Sequence, residues 1–182
     1  MASQSSVTAK FDGRIQFENV RIVSYEEDED WVNLDLNELY RRELDLYLAQ
    51  AFFRHRVEKR LQFQEGLPRL RGHYLDFSQS FRNLLENALE AMEESERCCL
   101  TVATALEDGW LILHLGDTGP GIPPKIMSRV FEPFFTTKRD RPHGRAGLGL
   151  FMARRLLAPY GGEIRLDSVP GETWATVTLP VE

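Results

Sequence analysis

"CCLTVATALEDGWLILHLGDTGPGI", residues 98–122, is the stretch on which the fold turns. Two apolar runs, 98–106 and 110–116, flank the short "EDG" at 107–109. That arrangement predicts a β-hairpin with an Asp-Gly turn. The second run leads into Asp117, and only then does the chain break into Thr118-Gly119-Pro120-Gly121-Ile122. A strand that carries a carboxylate to the end of a sheet and then turns on glycines has two readings. It is a capped turn, or it is a pocket floor where the backbone approaches a flat ligand. In the second reading Asp117 accepts from an exocyclic amine such as that of adenine, with Ile122 and Leu148 as apolar walls.

The sequence on either side extends the pattern. Upstream, 35–60 predicts one long helix with Asp35 as N-cap and Glu38 completing a capping box. Its core stripe is Leu36, Leu39, Tyr40, Leu44, Tyr47, Leu48, Ala51 and Phe52. Leu39, Leu46 and Phe53 add a line at seven-residue spacing, which reads as a broad buried face or as a seam for a partner helix. A short strand at 60–64 and a turn-rich connection at 65–74 precede a second helix, 76–95. Downstream, 118–146 is a long connection with a short helix near 123–130. A helix over 147–160 follows, and strands 161–169 and 173–180 close a hairpin around "PGE". Residues 13–23 read as a strand or hairpin, followed by the acidic block "EEDED" at 26–30. The chain divides into an N-terminal tail, 1–32, and a domain, 33–182. The domain is expected to be a two-layer α/β sandwich: a mixed, largely antiparallel sheet covered on one face by about three helices.

Bulk properties exclude several classes. The 182 residues are 42% hydrophobic and 27% charged, enough to bury a core without staples. No apolar run approaches the roughly 18 residues of a membrane span, and no secretory h-region opens the chain. The adjacent Cys98 and Cys99 fit neither a structural disulfide nor a metal site, so a reducing cytoplasm is expected. A net charge of −6 argues against nucleic-acid binding. Yet residues 125–145 carry six Lys/Arg against two acids, which suits a solvated loop or a polyanionic ligand.

Two further features carry chemistry. On the 76–95 helix, Asn83, Glu86, Asn87 and Glu90 recur on the face opposite Phe81, Leu84, Leu85, Ala88, Leu89 and Met92. Asparagine is a weak helix former. Two of them one turn apart are either part of a wet face or ligands for a hard cation such as Mg2+, which takes few protein ligands alongside phosphates. The helix at 147 opens on Gly147 and Gly149, leaving free N–H groups and a positive dipole end, an anion site. No Gly-Lys-Ser/Thr follows, so it is not a P-loop.

Amide helix, strand to Asp-Thr-Gly-Pro-Gly-Ile, basic segment and glycine-opened helix follow in that order. The sequence resembles the catalytic ATP-binding domain of two-component sensor histidine kinases, within the superfamily of gyrase B, Hsp90 and MutL. "NLLENALEA" (83–91) is similar to the N box, "DTGPGI" (117–122) to the G1 box, "FEPFFTTK" (131–138) to the F box and "GLGL" (147–150) to the G2 box. The resemblance covers 33–181 and implies a Bergerat-type fold. It implies Mg2+ on Asn87 with Asn83 beside it, the adenine amine on Asp117 with Thr173 helping through water, and a base pocket shaped by Gly119 and Gly121. It also implies a lid at about 123–146 that brings Lys138 to the phosphates of ATP, and N–H groups of Gly147 and Gly149 on those phosphates. Phe134 and Phe135 would pack the lid or rest on a partner domain. Two departures stand out. Residues 145 and 146 are Arg and Ala where the G2 box often has Gly-x; Arg145 would add a phosphate contact or slow lid closure. Residue 83 is Asn where the gyrase and Hsp90 branches place a general-base Glu, which favours phosphoryl transfer over hydrolysis, with Glu86 nearby.

The implied partners are a phosphoacceptor histidine domain, through which the protein would dimerise, and a response regulator. Of His55, His73, His114 and His143, none has the expected setting of the acceptor. His73 and His114 read as structural, and His143 lies in the basic segment. The alternatives are a serine kinase of the anti-sigma-factor type, which shares the fold, and a non-catalytic module whose nucleotide orders a partner surface.

Overall fold

The computed structural model describes residues 31–137 and 146–181. The chain runs β1 (Trp31–Leu34), α1 (Leu36–Tyr47), α2 (Ala51–His55), β2 (Glu58–Phe63), β3 (Leu70–His73) and α3 (Tyr74–Met92). It continues through β4 (Cys99–Glu107), β5 (Trp110–Asp117), α4 (Pro124–Met127) and α5 (Gly149–Leu157). A 3-10 turn (Ala158–Tyr160), β6 (Glu163–Val169) and β7 (Glu172–Pro180) complete it. Residues 13–23, the acidic block and His143 lie outside the described residues.

Five strands form one sheet in the order β2-β4-β5-β7-β6. β2 runs parallel to β4, and the other three pairs are antiparallel. The sequence expectation of a mixed, largely antiparallel sheet is met. β4 and β5 are joined at Asp108 and Gly109, both at positive φ (49° and 81°), the backbone a two-residue hairpin turn of this hand requires. Alternation then sorts the faces. Leu100, Val102, Leu111, Leu113, Leu115, Ala175, Val177 and Leu179 point at the helices and are buried. Thr101, Ala103, Ile112, His114, Trp174 and Thr176 face the other way and stay half-exposed. His114 takes a hydrogen bond geometry of 3.1 Å with Thr176 Oγ1 and meets Trp174 edge-on.

The helical layer differs from expectation at one place. The predicted single helix over 35–60 is broken: α1 ends at Tyr47 and a five-residue α2 follows, after which the chain enters β2. Asp35 does cap α1, its side chain accepting from Glu38 N at 3.0 Å. The break has a packing reason. Continued at 100° per residue, the helix would place Phe53 on the side opposite Leu44, toward solvent. Turning the chain at 48–50 inserts Phe53 into the core, where it is 1% exposed, while Leu46 and Leu48 are left 63% and 43% exposed. Ala51 is exposed as well, so neither the full stripe nor the seven-residue seam survives.

Two strands were also missed. β1, in the expected tail and linker, pairs antiparallel with β3, in the expected turn-rich connection. Four-residue strands with Gly72 inside one of them carry too little alternation to read. Their fastening is tertiary. Tyr160 packs on Phe77 and Trp31 at ring-centroid distances of 4.6 and 5.6 Å. Its hydroxyl donates to Asp76 Oδ2 at 2.6 Å and accepts from His73 N at 3.1 Å. Burial, and then the Asp76 carboxylate, push the Tyr160 hydroxyl up to about 12. His73 itself stacks edge-on against Trp31.

Candidate nucleotide site

α3 is 19 residues long, about 28 Å at 1.5 Å per residue. Its apolar face, from Phe77 and Phe81 to Leu85, Leu89 and Met92, is buried in the core. Contacts to α1 fix its rotation about that axis. Glu43, 3% exposed, accepts from Ser78 Oγ at 2.7 Å and Tyr74 Oη at 3.2 Å, with Arg82 Nε 3.8 Å away. One turn on, Tyr47 Oη donates to Glu86 Oε1 at 2.7 Å. Burial, then Glu86, raise the Tyr47 hydroxyl well above its usual range. The row 78-82-86 is thereby held against α1. That turns the adjacent row, Asn83 and Asn87, toward α5. Glu86, which sequence placed beside the amides, is drawn to the α1 side.

β5 delivers Asp117 where the sheet and α3 converge. Asp117 lies beside Leu100 on β4 and Thr173 on β7, and both Asp117 and Thr173 are buried. The turn that follows is tied down at three points. Cys99 N donates to Thr118 Oγ1 at 2.9 Å, and that hydroxyl donates to Arg97 O at 2.8 Å. Gly119 N donates to Asp117 Oδ1 at 2.8 Å, which orients the carboxylate. Ile122 N donates to Ser168 Oγ at 2.8 Å, docking the turn on β6. Gly121 sits at φ +84°, and a Cβ there would stand 2.3 Å from Val169 O. No side chain fits between turn and hairpin, so the glycine is required for the close approach.

A cavity of about 330 Å³ opens above this floor, within the range of small-molecule sites. Asn87, Asp117, Gly121, Ile122, Gly147, Gly149 and Thr173 line it. Its apolar walls are Leu84, Ile126, Val130, Leu150, Leu166 and Ala175. Leu148 does not line it. With Asn83, Gln79, Ala146, Gly149 and Met152 it borders a second hollow of about 250 Å³, and Gly149 lines both. Gly119 lies beneath the floor as a support for Asp117 rather than in the wall. Lys138 and Arg145 lie outside the described residues.

The polar end toward α5 is chemically incomplete. Asn87 Nδ2 is buried without a hydrogen-bond partner. A Cβ on Gly149 would stand 3.4 Å from it, so the amide abuts the first residue of α5. The two ends of an amide exchange by a flip, and Asn87 can therefore present an oxygen to the cavity. Among the described residues no group of three or more His, Cys, Asp or Glu side chains stands ready for a metal. A cation here would need oxygen ligands brought by the bound molecule, which is how Mg2+ is held beside phosphates. Gly147, at φ +71°, allows the chain entering α5 to touch the backbone of Phe134 and Phe135; a Cβ would meet Phe135 O at 2.5 Å. Phe134 is itself at φ +63° and exposed, whereas Phe135 lines the cavity under the Arg129 guanidinium.

Sequence reasoning missed Ser168, Thr118, Glu43 and the wall residues Ile126, Val130 and Leu166. Their roles rest on tertiary contacts that leave no local pattern.

A family model described as "Histidine kinase-, DNA gyrase B-, and HSP90-like ATPase" matches residues 72–182. The chain is 36% identical over 115 residues to the C4-dicarboxylate transport sensor protein DctB of Rhizobium meliloti (strain 1021), covering 63% of this chain and 18% of that protein. It is 31% identical over 147 residues to sporulation kinase E of Bacillus subtilis (strain 168), covering 80% of this chain and 19% of that protein. The chain thus spans less than a fifth of the length of these two relatives. Among solved structures, the mycobacterial sensor histidine kinase MprB aligns with a TM-score of 0.67 at 26% identity, over 82% of this chain and 97% of that one.

Proposed function

The chain belongs to the histidine kinase-, DNA gyrase B- and HSP90-like ATPase family, and from that premise we propose that it is the ATP- and Mg2+-binding catalytic domain of a protein-histidine kinase. One observation carries the reading. A buried carboxylate, Asp117, and an amide whose buried nitrogen has no hydrogen-bond partner, Asn87, line one cavity, and they suit the amine and the phosphate-bound metal of an adenine nucleotide.

In this reading Asp117 accepts from the exocyclic amine and Leu166, Ile126, Val130 and Ala175 enclose the ring. Gly147 and Gly149 offer backbone N–H groups to the phosphates, and Asn87 holds the metal that enters with them. Bound Mg2+ would offset the charge of the phosphate oxygens. Phosphoryl transfer then rests on positioning and charge neutralisation. Asn83 borders the second hollow, one turn back on α3 and against the same Gly149 as Asn87. The basic segment within 123–146, with Lys138 and Arg145, serves as the lid, and the domain acts as one unit from β1 onward. Hydrolysis is disfavoured because Asn83 is no base and Glu86 is engaged by Tyr47.

The acceptor histidine belongs to another domain or chain, which also supplies dimer contacts, and the phosphoryl group passes on to a response regulator. Among the described residues no helix is long and apolar enough to cross a membrane; we assign the domain to the cytoplasm. The test is incubation with γ-labelled ATP and the dimerising helical domain of a related sensor kinase. Acid-labile label on that domain, lost in Asn87→Ala, supports the proposal. Acid-stable label indicates a serine kinase and overturns it, as does nucleotide binding with no transfer to any acceptor.

A further inference from the structure

We propose that Ser168, which does not line the cavity, sets the donor–acceptor pattern of its base end and thereby its preference for a purine carrying an exocyclic amine. The inference rests on the adenine-nucleotide reading and adds a specificity-determining residue to it.

The argument is a proton count. Ser168 Oγ has three partners: Ile122 N at 2.8 Å, Glu172 O at 3.1 Å and Thr173 Oγ1 at 2.9 Å. A serine hydroxyl offers one proton and two lone pairs. The Ile122 N–H can only donate, so it occupies one lone pair. The Glu172 carbonyl can only accept, so it takes the proton. One lone pair remains, and only a donor fills it. Thr173 must therefore give its hydroxyl proton to Ser168.

That assignment fixes what Thr173 shows to the cavity it lines. With its proton committed to β6, Oγ1 faces the base end as an acceptor, beside Asp117 across the β5–β7 pair. An ionised carboxylate is also an acceptor only. Both residues are more than nine-tenths buried, so water has little room to invert the pattern. The base end accepts and does not donate. It suits the N–H groups of a 6-amino purine and opposes the carbonyl of a 6-oxo purine, because an acceptor facing an acceptor is left unpaired. Ser168 acts through Thr173 and is a positioning residue.

Removing the serine hydroxyl releases the Thr173 proton. Thr173 can then rotate and donate to a 6-oxo group, and discrimination falls. The experiment measures dissociation constants for ATP and inosine triphosphate, with Mg2+, on the full 182-residue chain. Four forms are compared: unmutated, Ser168→Ala, Thr173→Val and the double variant. Ser168→Ala is expected to lower the preference for ATP by on the order of fivefold to tenfold, the scale of one hydrogen bond. In the Thr173→Val background the same change is expected to shift the ratio by less than about twofold, since nothing is left for Ser168 to orient. A ratio unchanged by Ser168→Ala overturns the proposal, as does an equal drop in the Thr173→Val background. Should Ser168→Ala unfold by circular dichroism, Ser168→Cys keeps the volume, weakens the acceptor and carries the same prediction. Binding of ATP by the unmutated chain is the separate control. Its absence strikes the nucleotide reading; binding with an unmoved ratio strikes only Ser168.

Discussion

Gly121→Ala separates backbone strain from lost fit at the floor of the cavity. At φ +84° an alanine incurs about 1–2 kcal/mol, the cost of a left-handed backbone for a residue with a Cβ. The added Cβ would stand 2.3 Å from Val169 O and 3.0 Å from Val169 C, both backbone atoms that cannot swing aside. The turn must lift from the β6–β7 hairpin by about 1 Å to reach van der Waals contact. That movement breaks the 2.8 Å bond from Ile122 N to Ser168 Oγ, a further loss of about 1 kcal/mol. The expected destabilisation is about 3 kcal/mol, or about 6–12 °C in Tm for a chain of this size. Lifting the floor also displaces Ile122, so ATP affinity should fall about tenfold or more. Gly171→Ala is the control. It lies in the same hairpin at φ +87° with nothing within 4 Å of its Cβ. It should cost about 1–2 kcal/mol and leave ATP affinity unchanged. Thermal unfolding and ATP titration on both variants decide the matter. Equal losses in the two, or normal ATP binding by Gly121→Ala, would refute the close-approach argument.

Three more expectations follow from the structure. Phe53→Ala should cost about 3–5 kcal/mol in urea unfolding, as for a large buried aromatic, while Leu46→Ala stays within about 0.5 kcal/mol; a single helix over 35–60 would put both side chains on one line and predict similar exposure for the two. Asn87→Ala should weaken Mg2+-ATP on the order of tenfold yet leave ADP binding in a chelator within about threefold; equal losses in both would move the metal contact elsewhere. Tyr160 holds its proton to about 12 against 10.0 in a free tyrosine. Above pH 10 the unfolded chain releases this proton first, so the contribution is intact below 10 and is lost as pH rises toward 12. Urea midpoints taken at rising alkaline pH should fall more steeply for the unmutated chain than for Tyr160→Phe; identical slopes would contradict the burial of that hydroxyl.

The sheet and the floor of the cavity were legible because their signals are local. The 98–116 hairpin carries its turn residues and its two-residue period in the chain itself, and Asp117 follows from where that strand stops. Asn83 and Asn87 were conspicuous as poor helix formers, yet sequence could not show that the α3–α5 contact places them at different hollows. The break after Tyr47 was invisible because leucines and phenylalanines continue through it; only the demand for Phe53 in the core stops the helix. β1 and β3 are held by Tyr160, more than 80 residues away in sequence from Asp76 and His73. Ser168 and Glu43 likewise draw their roles from partners on other elements. Long-range side-chain contacts, not periodicity, account for what was missed.

These contacts share one design. α1 sets the rotation of α3 through Glu43 and Tyr47, and the β6–β7 hairpin sets the height of the turn through Ser168 and Val169. The groups that line the cavity are thus held from behind by side chains, Glu43, Tyr47 and Ser168, that do not line it. That is the preorganisation a transfer reaction dominated by positioning requires.

The most direct test of the central claim is equilibrium binding of ATP to the unmutated chain and to Asp117→Asn. The substitution keeps the size of the side chain but removes its charge and turns half of it into a donor facing the amine. The account predicts saturable binding by the unmutated chain and a loss of on the order of a hundredfold in the variant, as expected when a buried charge-assisted hydrogen bond becomes a mismatched one. Equal affinity for ATP in the two proteins would contradict it.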